Sequence, residues 1–144
     1  MVETDTPIQS KKHPKGCFFA LWAMALLLIL LILVASWSPD SRMTALGWVP
    51  GWAAEWADRD PNLRTAVPFI PLAFLLMQGF AWRGMKWPAL WSVGVCGLCL
   101  GLSELGQVFL PSRTADVADL LWGGAGILVG VGIAWGMERM KCEH

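Results

Sequence analysis

The chain has no tyrosine and little charge: 15% of its 144 residues are Asp, Glu, Lys or Arg, where a water-soluble domain carries about a quarter. With 56% hydrophobic residues, that scarcity excludes an ordinary soluble fold. A basic excess is missing too, since 11 Lys and Arg cancel 11 Asp and Glu. A polyanion would release few counterions on binding, so no nucleic-acid partner is expected. The only histidines are His13 and His144, one near each end, and no Ser-His or Cys-His pair is available for nucleophilic catalysis. Cysteine offers one CxxC, Cys96 and Cys99, without a second pair or a nearby His. Zinc needs four ligands in a closed site, so both thiols read as small packing residues, and no metal, cofactor or structural disulfide is expected.

What the chain does have is ten Trp, many at the ends of four apolar runs. An amphipathic ring there prefers the headgroup layer of a bilayer. The runs predict helices over about 17–37, 66–82, 87–110 and 120–137. The first is continuous and uncharged, and at ~1.5 Å per residue it spans about 30 Å, the hydrocarbon thickness. Pro68 and Pro71 in the second suit a first turn or a kink rather than a straight interior. The glycines of the fourth are tolerated in lipid, where unsatisfied backbone costs more. The expected fold is all-α: a polytopic membrane protein with four transmembrane helices and an interfacial helix in the first outer loop.

Orientation follows from the basic residues, which accumulate in cytoplasmic loops. Lys11, Lys12 and Lys15 precede the first run, Arg83 and Lys86 fill the second loop, and Arg139 and Lys141 follow the fourth. These ends are expected inside. The outer side then holds Arg42, Arg59, Arg64 and Arg113, outnumbered by Asp40, Glu55, Asp58, Asp60, Glu104, Asp116 and Asp119. Residues 1–16 read as a cytoplasmic basic tail, 17–137 as the transmembrane domain and 138–144 as a second cytoplasmic tail. The first run exceeds a typical signal core of ~7 to 15 residues and lacks a small-x-small cleavage site, which predicts a retained anchor.

In the first outer loop, Trp48, Trp52 and Trp56 recur every four residues, one face if the segment is helical. That face reads as an anchoring belt, with a lid over an outer-facing pocket as the sharper alternative. Gly97 and Gly101 form one GxxxG on the third helix, while Gly126 with Gly130 and Gly132 with Gly136 form two on the fourth. Such spacing lets backbones approach closely in lipid. It predicts packing of the third helix on the fourth, or a homodimer seam.

The link Glu104 to Leu121, ELGQVFLPSRTADVADLL, is the polar exception in an oily chain. Glu104 and Gln107 share a helix face near the Pro111 boundary. A carboxylate there is costly, about 2.5 to 3.5 kcal/mol at the bilayer centre and less near the interface, and the helix C-terminus opposes it. Arg113 is the nearest candidate cation in sequence, with a planar fork that holds a carboxylate bidentately. Asp116 and Asp119 approach the fourth helix's N-terminus, where Asp119 could act as N-cap.

E-x-x-Q, then P-x-R-x-x-D-x-x-D and a glycine-rich helix, Glu104 to Gly130 here, resembles the signature region of the VanZ-like family of small bacterial membrane proteins. The family is named for a member linked to teicoplanin resistance. In that pattern an Asn often stands four residues after the last Asp, where this chain has Gly123. An Asp-Lys-x-x-His element often opens the second helix, and DPNLRTAVPF, Asp60 to Phe69, has neither that Lys nor that His. The resemblance therefore implies fold and location in the bacterial inner membrane more than activity. Three roles follow for Glu104, Gln107, Arg113, Asp116 and Asp119: a network tying the third helix to the fourth, a site for a polar lipid headgroup such as a cell-wall lipid intermediate or for a glycopeptide, or general acid-base chemistry by Glu104, the weakest of the three. A fourth reading makes the protein an accessory or scaffolding subunit among other membrane proteins, with no ligand of its own.

Overall fold

The computed structural model describes residues 15–38, 42–109 and 117–142. Its elements are α1 (Lys15–Ser36), a short 3-10 turn (Met43–Ala45), α2 (Gly51–Arg59), α3 (Pro61–Trp82), α4 (Pro88–Val108) and α5 (Val117–Cys142). No strand occurs among the described residues. Four helices, α1, α3, α4 and α5, are long and apolar enough to cross a bilayer. The protein is therefore an all-α, multi-pass membrane protein.

Two helices outrun their apolar runs. α3 begins five residues before the expected Ala66, because Pro61 occupies its first turn, where a missing N–H costs nothing. The Arg64 amide then donates to the Asp60 carbonyl at 2.9 Å. Pro68 and Pro71, which suit a first turn or a kink, sit inside one continuous helix and beyond its first turn, as spanning helices allow when neighbours cover the freed carbonyls. α5 starts three residues before the expected boundary and runs five beyond it. Between α3 and α4, Gly84 takes φ 69°. Its amide donates to Ala81 and the Met85 amide to Phe80, a closing pattern of helix ends that needs a residue free of a Cβ penalty.

α3 is the central helix. Half of its apolar stretch is buried within the protein, against 11% of α1's. Phe69, Leu72, Ala73 and Leu76 of α3 pack with Ala25 and Ile32 of α1, Cys96 and Leu100 of α4, and Ile127 of α5. Outward residues such as Leu98, Leu121 and Leu128 are exposed, the pattern of a bundle solvated by lipid. At the Trp82–Pro88 end, Arg83 rests 5.9 Å from the Trp22 ring, Lys86 5.9 Å from Trp87 and Arg139 4.0 Å from Trp135. These are cation–π contacts of the kind that hold charges at an interface.

The glycine seam differs from the expectation. A Cβ at Gly126 would strike the Ala66 carbonyl, and one at Gly130 the Ile70 carbonyl, so these glycines seat α5 on α3 rather than on α4. The steps match, four residues on each helix, which sets α3 and α5 parallel. Gly97, Gly101, Gly132 and Gly136 have nothing within 4 Å; they lie on outward faces and close no contact between α4 and α5. Gly126→Ala and Gly130→Ala should each destabilise the protein by about 1–3 kcal/mol, because the obstacle is backbone that cannot step aside. Thermal unfolding in detergent checks this, with Gly132→Ala expected to leave the midpoint unchanged.

Candidate functional site

Where α1 and α4 end and α3 and α5 begin, the helices diverge around a cavity of about 340 Å3. Leu28 and Ile32 of α1 and Phe69 of α3 form its apolar wall. Arg64 and Thr65 of α3, Ser103, Glu104 and Gln107 of α4, and Asp119 of α5 line its polar end. Met43, Trp48, Val49, Ala53 and Trp56 line it as well and form a roof drawn from the chain between α1 and α3.

Helical geometry delivers these groups. Glu104 and Gln107 are three apart on α4, so they project from one face, and both are buried, at 8% and 6% exposure. Ser103 beside them spends its proton inside the helix, its Oγ donating to the Leu100 carbonyl at 2.7 Å. The Thr65 hydroxyl donates to Asp119 Oδ1 at 2.9 Å, joining the first turns of α3 and α5. Trp37, just past α1, lies against Gly106 and its indole N–H donates to the Leu102 carbonyl at 3.3 Å. Gln107 makes no side-chain hydrogen bond to any described residue.

One carboxylate organises the roof. Asp58 of α2 accepts the Met43 amide at 2.6 Å, the Thr44 amide at 3.1 Å and the Thr44 hydroxyl at 2.9 Å. Arg64 approaches it at 3.9 Å. The Met43 amide foremost, then the Thr44 groups and Arg64, hold the Asp58 carboxyl below its ordinary range, against an opposing effect of partial desolvation. Because ionisation is favoured in the folded form, the latch is complete above the usual carboxylate pKa and weakens as pH falls through the lowered one.

The expected tryptophan face is corrected here. Pro50 precedes α2 and biases the residue before it away from helix, so Trp48 lies in a turn outside the helix. Trp48 and Trp56 line the cavity while Trp52, 77% exposed, points away. Of the expected polar cluster, Glu104, Gln107 and Asp119 meet at the cavity. Asp119 stands in the first turn of α5, two residues inside the helix rather than at its cap. Arg113 and Asp116 lie outside the described residues. The cation that lines the cavity among the described residues is Arg64. The readable signal was Pro61 as a first helical position, which draws Arg64 and Thr65 into α3.

The VanZ/LLP1 family model matches residues 17–138, from the start of α1 to near the end of α5. The chain belongs to the VanZ/LLP1 family. No curated protein and no solved structure matches it. The departures of this VanZ-like protein from the family pattern have local explanations. At Gly123 a Cβ would lie 2.6 Å from a Leu100 methyl, so a side chain there would require Leu100 to change rotamer. Counted from Asp60, Arg64 falls where the Asp-Lys-x-x-His pattern has its histidine, replacing a titratable ring by a permanent cation. In Asp58→Ala, hydrogen exchange at the Met43 and Thr44 amides should lose its protection at neutral pH. In the parent chain the same loss is expected only below about pH 4.

Proposed function

We propose that this VanZ-like protein resides in a bacterial cytoplasmic membrane with both termini in the cytoplasm, and that its cavity binds the polar head of a membrane lipid from the outer side. The orientation rests on basic residues. Arg83, Lys86 and Arg139 share one end of the bundle, each against a Trp ring, and the sequence adds Lys11, Lys12, Lys15 and Lys141 to the same side. Cytoplasmic ends carry such an excess. Residues 17–137 then form the membrane domain between two cytoplasmic tails, 1–16 and 138–144.

The observation that carries the binding reading is Gln107: a buried amide lining a cavity, with no partner among the described residues. An amide that ties no helices together keeps its donors and its acceptor for a ligand at the cavity. The cavity also suits a lipid better than a glycopeptide. Small-molecule sites run about 300–1,000 Å3, so 340 Å3 accommodates a headgroup and part of one chain but not a larger water-borne ligand. Leu31 and Val67 line the cavity and are 39% and 41% exposed, which supports access from the bilayer between α1 and α3.

Two experiments test this. Gln107→Leu removes an amide that no described protein group uses, so the unfolding midpoint should hold or rise while lipid retained through purification, counted by native mass spectrometry, falls. A lowered midpoint with unchanged lipid would instead mark Gln107 as part of the scaffold. For orientation, single cysteines at Glu55 and at Lys86, in a chain with its native cysteines replaced, should react oppositely with an impermeant maleimide on intact cells. Only the first is expected to label.

A further inference from the structure

Beyond the Asp58 latch, α2 gains little from the rest of the protein. It has 9 residues, and an isolated helix shorter than about 12 to 15 residues is marginal in water. The side chains it buries are two alanines, Ala54 and Ala57, whose methyl groups remove little apolar surface from solvent. Its other side carries Trp52, 77% exposed, and the exposed Glu55, Trp56 and Arg59. Trp52 and Arg59 stand seven apart and so share a face. Trp48, in the turn before α2, is exposed as well.

The length of α3 fixes the depth at which α2 lies. The two helices are joined by Asp60 alone, and one residue spans at most about 3.6 Å. The far end of α3, at Trp82, adjoins Arg83 and Lys86, whose contacts with Trp22 and Trp87 mark an interface. From there the 22 residues of α3 at ~1.5 Å each reach about 33 Å, slightly more than the ~30 Å of hydrocarbon. α2 therefore meets α3 where hydrocarbon gives way to headgroups. Ala35 and Ser36, in the last turn of α1, line the same cavity as Trp48 and Trp56, so the roof is level with the ends of the spanning helices. Leu63 of α3, Val34 of α1 and Trp37 just past it are exposed, and they carry the lipid-facing surface of the bundle up to α2.

We propose that α2 lies in the headgroup layer of the leaflet at which α3 begins, with Trp52 inserted among the lipid heads beside Glu55 and Arg59. An indole flanked by charges suits that layer better than hydrocarbon or open water. Glu55 and Arg59 are of opposite sign, so the anchoring depends on the indole and not on attraction to anionic lipid. The roof of the cavity then stands at the depth of the lipid heads, whatever the cavity itself binds.

The test uses the full chain with its native cysteines replaced, in vesicles of phosphatidylcholine with or without phosphatidylglycerol. An NBD fluorophore on Trp52→Cys reads depth. A nitroxide on the lipid head should quench it about threefold more than a nitroxide near the end of the acyl chain, as suits a group within ~5–10 Å of the headgroup boundary, and phosphatidylglycerol should not alter the ratio. If Trp52→Cys does not fold, the same fluorophore at Arg59, on the same face, should show the same order of quenching. Equal or stronger quenching by the deep nitroxide would overturn the assignment by placing α2 in hydrocarbon. Quenching by aqueous iodide with none from either lipid would overturn it by placing α2 in water, and shielding from all three quenchers would place it against another protein. Quenching that appears only with phosphatidylglycerol would overturn the indole as the anchor. None of these outcomes bears on the lipid retained by the cavity, so this proposal and the lipid-binding reading fail separately.

Discussion

The backbones of α3 and α5 come together so closely at Gly126 and Gly130 that no side chain fits between them and the Ala66 and Ile70 carbonyls. In lipid there is no hydrophobic drive between helices, and contact of this kind has to supply the association. The two helices are parallel, so their first turns come to one level and Thr65 can donate to Asp119. Their N-termini bring partial positive charge to the end of the bundle where Glu104 is buried on α4. The polar end thus adjoins the glycine contact, which begins at Ala66, the residue after Thr65.

α1 and the segment after it partly cover that polar end. α1 is peripheral, and it touches α4 through Trp37 at Leu102 and Gly106. The segment between α1 and α3 folds mainly on itself through Asp58. Its link outward is the longer approach of Arg64. A carboxylate that gathers three short-range donors holds a compact unit without a large core. Arg64 faces two ways, toward the roof and into the cavity, and so couples the two.

Much of the fold was legible because hydropathy and basic clusters report directly on helices that cross a bilayer. The spans of α1 and α4 fall within two residues of their apolar runs. The start of α3 did not, since Arg64 and Thr65 look like loop residues until Pro61 is recognised as a first helical position. Glycine spacing announced close packing but not its partner: α5 touches α3, a neighbour in space that α4 separates from it in sequence. Glu104, Gln107 and Asp119 could be picked out as polar groups in oily surroundings. Arg64 was passed over because linear proximity favoured Arg113, which lies outside the described residues. The tryptophan period of four was real, yet Pro50 cut it: Trp48 and Trp56 border the cavity while remaining exposed, and Trp52 does not line it.

The parallel contact between α3 and α5 also sets a timetable for biogenesis. Helices enter the bilayer in the order they are synthesised, and α3 must wait through the emergence of α4 before the surface it packs against exists. During that interval the Ala66 and Ile70 carbonyls lack their glycine neighbours and the cavity lacks Asp119. α5 is thus the keystone of the bundle, since the glycine contact on α3 forms only once it has followed α4.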